Sequence, residues 1–108
     1  MRIKKARQML KSFADDTRLR IINLLHEKEL NVSQLNKILG SNQPNLSKHL
    51  ARLRLTGVVG DRRKGNNVYY YLIKPSEKSH KELLSSITSG LAELETFKED
   101  RKKLEKLK

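Results

Sequence analysis

The chain has 108 residues, with 24 Lys and Arg against 12 Asp and Glu, a formal net charge of +12 and no Cys. The length predicts one domain, and the absence of Cys excludes disulfides, thiolate metal sites and thiol-based redox switches. No uncharged run is long enough for a membrane-spanning helix, and no apolar segment near the start resembles a secretory signal, so we expect a cytoplasmic protein.

The positive charge is unevenly distributed along the chain. Residues 1–57 carry 12 basic and 4 acidic side chains, residues 58–74 carry 4 and 1, and residues 75–108 carry 8 and 7. A basic excess of this size favours a polyanionic partner, most often a nucleic acid. The mixed charge of the last third is typical of a solvated helix face.

The first half of the chain predicts four helices. Apolar residues at spacings of three and four indicate an amphipathic helix over residues 2–13, and the segment Asp15-Asp16-Thr17 can supply the cap of a buried second helix. After a short extended link, Ser33 can cap a third helix and Asn42 a fourth, with Gly40 between them. Two short helices joined by a tight Gly-containing turn, over residues 33–56, form a helix-turn-helix.

The second half predicts a hairpin and a long helix. Residues 58–73 contain two runs rich in β-branched and aromatic residues around a basic turn, which predicts a β-hairpin. A single last helix over residues 76–104 follows, with an apolar stripe that we expect to be too long for one chain's core to cover. The chain is therefore predicted to be mainly α-helical with a small β-hairpin.

Three segments of this sequence resemble the ArsR/SmtB-type transcriptional repressors. They are LKSFADDTRLRII at 10–22, QPNLSKHLARLR at 43–54, and the hairpin GVV with RRKG and YYYL within 57–72. The resemblance covers residues 8–73 in unbroken order and the elements follow winged-helix order. It implies a homodimeric bacterial or archaeal repressor that leaves DNA when an effector binds. Residues 1–108 would form one winged helix-turn-helix domain, with the wing at 58–73 and a dimerisation helix at 76–104.

The sequence departs from this family at its sensing sites. Asn31 and Ser33 stand where the family has metal-binding cysteines, and neither is a useful ligand for a soft metal. The family's pattern of His and acidic residues on the last helix is also absent. We therefore expect no cofactor and no metal site, and the effector stays open. A weak zinc site from His80 with Glu77 and Glu82 across a dimer is the alternative.

The resemblance and the charge pattern together indicate which residues contact DNA. Side chains at the start of the fourth helix can reach base edges in a major groove, and later arginines can reach phosphates. The helix residues predicted to contact DNA are Gln43, Asn45, Ser47, Lys48, Arg52 and Arg54. The wing residues predicted to follow the backbone or minor groove are Arg62, Arg63, Lys64 and Asn66. The alternative is a solvated helix face and a basic hairpin that keeps a sheet edge soluble.

Histidines and tyrosines near these surfaces have simpler interpretations. Alternation along the hairpin sends Tyr70 to one face and Tyr69 and Tyr71 to the other, which favours packing over base stacking. His49 is predicted to be a structural histidine beside the apolar stripe of its helix, with a phosphate contact as the alternative. His26 suits the C-terminal end of the second helix because a cation there is favoured by the helix dipole.

The first and last helices are predicted to form a dimer interface. Gly90 is unfavourable within a helix, and a close helix crossing at the two-fold axis would explain its presence. The predicted interface residues are Met9, Leu10, Phe13, Leu84, Ile87, Gly90, Leu91 and Leu94.

These patterns predict a dimeric DNA-binding transcriptional regulator, most simply a repressor at a palindromic operator. An architectural or non-specific DNA-binding protein with the same fold is the alternative, and a partner-binding module is a third hypothesis. No clustered His and carboxylates and no Gly-rich phosphate loop occur, so an enzyme is not predicted.

Overall fold

The computed structural model describes residues 1–107; Lys108, the last residue of the predicted domain, lies outside that range. The helices are α1 (Ile3–Phe13), α2 (Asp16–Glu27), α3 (Val32–Leu39), α4 (Gln43–Leu55), α5 (Lys78–Thr88) and α6 (Glu95–Glu105). The strands are β1 (Leu30–Asn31), β2 (Val59–Lys64) and β3 (Asn67–Leu72). No helix within residues 1–107 is long and apolar enough to cross a membrane.

Side-chain caps set where three of these helices begin. Asp15 accepts a hydrogen bond from the backbone amide of Arg18, and Asn42 caps α4 in the same way. The predicted cap of α3 was wrong. Asn31, not Ser33, caps that helix, because its side chain and that of Gln34 form a reciprocal capping box. Gly40 ends α3 with a left-handed φ of 68°, as predicted.

The sheet has the order β1-β3-β2 and is antiparallel throughout. The predicted hairpin is β2 and β3, joined by a tight turn in which Gly65 has a φ of 62°. The predicted extended link before α3 pairs with the hairpin, so that Leu30 lies opposite Tyr70. This two-residue strand connects the wing to the start of the helix-turn-helix.

The core is built around α2, which packs against helices on several sides and against β3. Ile21, Ile22 and Leu24 of α2 are fully buried. The inner stripe of α4 also lies in this core. The core thereby fixes the orientation of α4 and leaves the polar face of that helix outward. The predicted winged helix-turn-helix fold is confirmed.

The single last helix predicted over residues 76–104 is instead two helices, α5 and α6. The backbone amides of Ser89 and Gly90 both bond to the carbonyl of Ser85, and the chain then turns before α6 begins. A Cβ at Gly90 would lie 2.2 Å from the carbonyl oxygen of Ser86, so this turn admits no side chain at that position. Gly90 therefore lies in the turn between α5 and α6, and not within a helix as predicted.

The break lets α6 fold back onto α2, and this covers most of the predicted apolar stripe but leaves Leu94 exposed. Leu84 and Ile87 of α5 and Phe97 and Leu104 of α6 all lie in the core of their own chain. The prediction of one straight helix was wrong, and the bend buries more of this stripe within one chain than a straight helix would.

Candidate nucleic-acid interface

The outer face of α4 is polar and exposed to solvent. Its inner face is buried through Leu46, Leu50 and Leu53. All six predicted DNA-contacting residues of the helix are exposed on the other side: Gln43, Asn45, Ser47, Lys48, Arg52 and Arg54. The helix periodicity therefore separates a core face from a face that presents amides, a hydroxyl and cations to solvent.

A groove of about 630 Å³ runs between the helix-turn-helix and the wing. It is lined by Asn31, Val32, Ser33, Asn36, Lys37, Gln43, Asn66, Asn67 and Val68. The lining contains one cation, several amides and no carboxylate, so an anionic strand passing from α4 to the wing would meet no charge repulsion there.

The wing presents its basic residues on two different faces. In the antiparallel register Arg62 lies opposite Tyr69 and Lys64 opposite Asn67, whereas Arg63 lies opposite Val68 on the other face. The predicted wing contacts are all exposed: Arg62, Arg63, Lys64 and Asn66.

Two acidic residues form ion pairs with predicted DNA-contacting residues. Neither of them was predicted from the sequence. Nη1 of Arg54 lies 2.9 Å from Oδ2 of Asp61. Glu29 lies within ion-pair distance of both Arg62 and Lys64. The Asp61 contact could have been suggested by the short separation of the two opposite charges, which are seven residues apart in the chain. The Glu29 contact could not, because it depends on β1 pairing with β3.

Lys48, Arg52 and Arg63 make no ion pair with any residue in the described range. These cations are free to meet an anion without first losing an acidic partner. They lie on α4 and on the face of the wing that Asp61 shares, so the unpaired positive charge spans both elements.

His49 connects α4 to α1 through Arg18. Its Nδ1 lies 3.1 Å from Nη1 of Arg18 and 3.6 Å from Oδ2 of Asp15. Nε of Arg18 also donates to the carbonyl of Ser12 at the end of α1, at 2.6 Å. This arrangement supports the structural role predicted for His49, because Nδ1 of its ring already contacts Arg18 and Asp15 of its own chain.

The tyrosines of β3 divide as alternation predicted. Tyr70 packs against the core, and burial raises the pKa of its hydroxyl group. Tyr71 lies on the other face, across Gly60, where a Cβ would approach its ring to 2.7 Å. Gly60 therefore provides the space in which the Tyr71 ring lies flat on the sheet.

The predicted dimer residues do not form one exposed surface. Met9, Phe13, Leu84 and Ile87 are buried within their own chain, so they are corrected from interface to core residues. Leu91 is half-buried against that core. Leu10, Gly90 and Leu94 are exposed.

The exposed apolar surface of α1 continues onto α5. One groove, of about 430 Å³, is lined by Ile3, Ala6, Arg7, Leu10, Lys11 and Ala14. A second groove, of about 500 Å³, shares Ile3 and Ala6 and reaches Leu83 and Ser86 of α5. Ile3 is 84% exposed, which is unusual for an apolar side chain on a helix that also contributes to the core.

Within residues 1–107 no three His, Asp or Glu side chains are grouped closely enough to hold a metal ion. His80 is buried, and its Nε2 has no hydrogen-bond partner. Desolvation lowers the pKa of His80, and the charge of Lys5 lowers it further. The side chain of Asn31 is used in the cap of α3.

The chain matches the family model described as "Bacterial regulatory protein, arsR family" over residues 15–60. It is 40% identical over 80 residues to the transcriptional activator HlyU of Vibrio cholerae, which covers 74% of each chain. It is 49% identical over 65 residues to the arsenic resistance transcriptional regulator ArsR1 of Pseudomonas putida, covering 59% of this chain. That match spans about half of the relative, 51% of its length.

Solved structures show the same architecture. HlyU from Vibrio cholerae superposes with a TM-score of 0.66 at 39% identity, covering 76% of this chain and 89% of that one. A homodimeric winged helix-turn-helix DNA-binding domain, Mb0332 from Mycobacterium bovis, superposes with a TM-score of 0.70 at 25% identity. That match covers 84% of this chain and 82% of the Mycobacterium bovis domain.

Proposed function

Because this chain belongs to the arsR family of bacterial regulatory proteins, we propose that it is a sequence-specific DNA-binding transcriptional regulator that works as a homodimeric repressor. The observation that carries this proposal is the outer face of α4, where every predicted contact residue is exposed while the leucines behind it anchor the helix in the core. A major groove admits one such helix.

The proposed contacts divide by chemistry. Gln43, Asn45, Ser47 and Lys48 lie in the first half of α4, where amide, hydroxyl and ammonium groups can bond base edges. Arg52 and Arg54 would reach phosphates. The wing residues Arg62, Arg63, Lys64 and Asn66 would meet the backbone or minor groove beside them.

The dimer would form through the apolar surface of α1 and its continuation onto α5. Ile3 and Leu10 are exposed there, and the adjoining grooves are the size of a few side chains. The Mycobacterium bovis neighbour is homodimeric, which supports the same assembly here. Two copies of α4 would then read a palindromic operator in successive major grooves about 34–36 Å apart.

Selection of bound duplexes from a random library, followed by titration of the selected site against a scrambled duplex, tests this proposal. Specific binding predicts an affinity for the selected site about 10³-fold or more above that for the scrambled duplex at physiological salt. Enrichment of a two-fold symmetric sequence would support the dimer. Equal affinity for both duplexes would favour the architectural alternative, and no tight binding of either would favour a partner-binding module.

Repression is tested on the regulated promoter itself. A footprint across the region upstream of the chain's own gene would show protection that overlaps the promoter. In a reporter assay, expression from that promoter should fall when the protein is present. A rise in expression would show activation instead.

A further inference from the structure

One carboxylate lies between two of the cations that the wing would offer to DNA. Oε1 of Glu29 is 2.7 Å from Nζ of Lys64, and Oε2 of the same residue is 3.6 Å from Nε of Arg62. Glu29 directly precedes β1, and β1 pairs with β3, so the sheet brings this residue beside the wing. Both pairs therefore depend on the tertiary structure and persist without any partner.

The two cations also lie over aromatic rings on the same face of the sheet. The guanidinium carbon of Arg62 is 4.5 Å from the centroid of the Tyr71 ring, and Nζ of Lys64 is 5.2 Å from that of Tyr69. A cation over an aromatic face is attracted by the ring quadrupole. The rings and the carboxylate together hold Arg62 and Lys64 along the sheet surface.

Arg63, between them in sequence, lies on the opposite face and has no ion pair within the described residues. A phosphate can therefore approach Arg63 without displacing an acid. To meet Arg62 or Lys64, it must either separate them from Glu29 or approach the carboxylate itself. Both routes lose electrostatic energy, since like charges repel and the existing pairs are broken.

We propose that Glu29 is an affinity-limiting residue, whose carboxylate competes with DNA phosphates for Arg62 and Lys64. This inference rests on the proposed DNA-binding function and adds to it a residue outside both α4 and the wing. The ammonium group of Lys64 against the carboxylate, and then the charge of Arg62, lower the pKa of Glu29. The carboxylate is accordingly ionised at every physiological pH.

Glu29→Gln, compared with Glu27→Gln, tests this competition. Glu27 is exposed at the end of α2 and makes no ion pair in the described part of the chain, so its variant removes the same charge without touching the wing. Binding of a scrambled and a selected duplex is measured by fluorescence anisotropy over a salt series. Circular dichroism and thermal melting establish that both variants are folded.

The expected result is that Glu29→Gln tightens binding of both duplexes by about three- to ten-fold near 0.1 M salt. The plot of log K against log salt should steepen by about 1 to 2, since each new phosphate contact adds about 0.9 to the slope. Glu27→Gln should change affinity by less than about two-fold, because it releases no wing cation.

Lys64→Gln completes a double-mutant cycle. It should cost more affinity in the Glu29→Gln background than in the wild type, where Glu29 already occupies the lysine. If Glu29→Gln binds no more tightly than Glu27→Gln, or more weakly, Glu29 does not compete with DNA and the inference is overturned. Failure of the wild type to bind any duplex is a separate result, which would overturn the proposed function first.

Discussion

Arg20 of α2 donates two hydrogen bonds to the carboxylate of Asp100 in α6, from Nε to Oδ2 at 2.7 Å and from Nη2 to Oδ1 at 2.9 Å. Asp100 is fully buried, whereas Arg20 keeps some contact with solvent. The pair raises the pKa of Arg20, chiefly through the hydrogen bond itself. This bidentate contact joins the last helix to the central one.

Asp100→Asn should lower the free energy of unfolding by about 2 to 3 kcal/mol, because it leaves Arg20 without its counter-charge in a half-buried position. This loss of stability is smaller than that expected on breaking a fully buried ion pair, because water still reaches Arg20. Urea unfolding followed by circular dichroism measures it. Glu105→Gln, on the exposed side of α6, is the control and should stay within about 0.5 kcal/mol of the wild type. Equal midpoints for both variants would contradict the prediction.

Residues of α4 and the wing should differ in how they affect specificity. Asn45→Ala and Lys48→Ala should weaken binding of the selected operator more than binding of a scrambled duplex, with each lost base contact costing about 1–3 kcal/mol. Arg63→Ala should weaken both duplexes equally and reduce the salt slope by about 1, as a phosphate contact does. Anisotropy titrations against the two duplexes give these values. The reverse pattern would exchange the roles of helix and wing.

Leu10→Glu should convert the proposed dimer into a folded monomer, because it places a charge in the exposed apolar groove of α1. Gln8→Glu adds the same charge on α1 outside that groove and should leave the dimer intact. Light scattering distinguishes the 12.5 kDa chain from an assembly of twice that mass. Ile87→Lys should instead unfold the chain, since Ile87 is buried within its own core.

A dimer that survives Leu10→Glu would show that the two copies meet elsewhere. Cooperative binding offers a second measurement of the same interface. The variant should bind a full palindrome no more tightly than a half-site, because the second contact is no longer linked to the first.

Zn²⁺, Cd²⁺, Pb²⁺ and As(III) should not release this protein from DNA at concentrations that act on metal-sensing relatives. Soft ions require thiolates and the sequence has no Cys, while a zinc site needs about four ligands. A mobility-shift titration with each ion measures release. Release by micromolar zinc that is lost in His80→Ala would show that His80 contributes to a metal site between copies of the chain.

The free energy of unfolding should fall in mild acid because of His80. Its pKa is lower in the fold than its ordinary value, so the unfolded chain binds more protons between the two values. The stability is therefore unaffected by protonation of His80 above its pKa in the unfolded chain, about 6.5. It declines as the pH falls from there toward the lower pKa that His80 has in the folded protein. Lys5 disfavours the protonated form and Glu77 favours it. Melting temperatures between about pH 5 and pH 8 should show this decline, and His80→Gln should reduce it. His26→Gln, at an exposed position, should retain the decline.

Much of the DNA-binding half of the molecule follows from local sequence. Asp15 and Asn42 cap helices by bonding amides three residues away, and Gly40 ends a helix through its own φ angle. The leucine spacing of α4 separates a core face from an outer face regardless of what packs behind it. These features depend on residues that are close together in the chain, so the sequence by itself is enough to predict them. The cap of α3 was missed because Asn31 and Ser33 both suit that role, and only the pairing with Gln34 distinguishes them.

The tertiary structure alone decided the features that join distant segments. Periodicity showed apolar faces on α1 and in the last third, but not that Met9 would be buried while Leu10, the next residue, stays exposed. The break at Gly90 places Phe97 and Leu104 in the chain's own core, and it also brings Asp100 to Arg20. Glu29 lies beside the wing only because the two-residue strand β1 pairs with β3, and a strand this short has no recognisable alternation in the sequence. Such contacts depend on which surfaces meet when the chain folds. Burial and charge pairing between those surfaces are absent from any local stretch of the sequence.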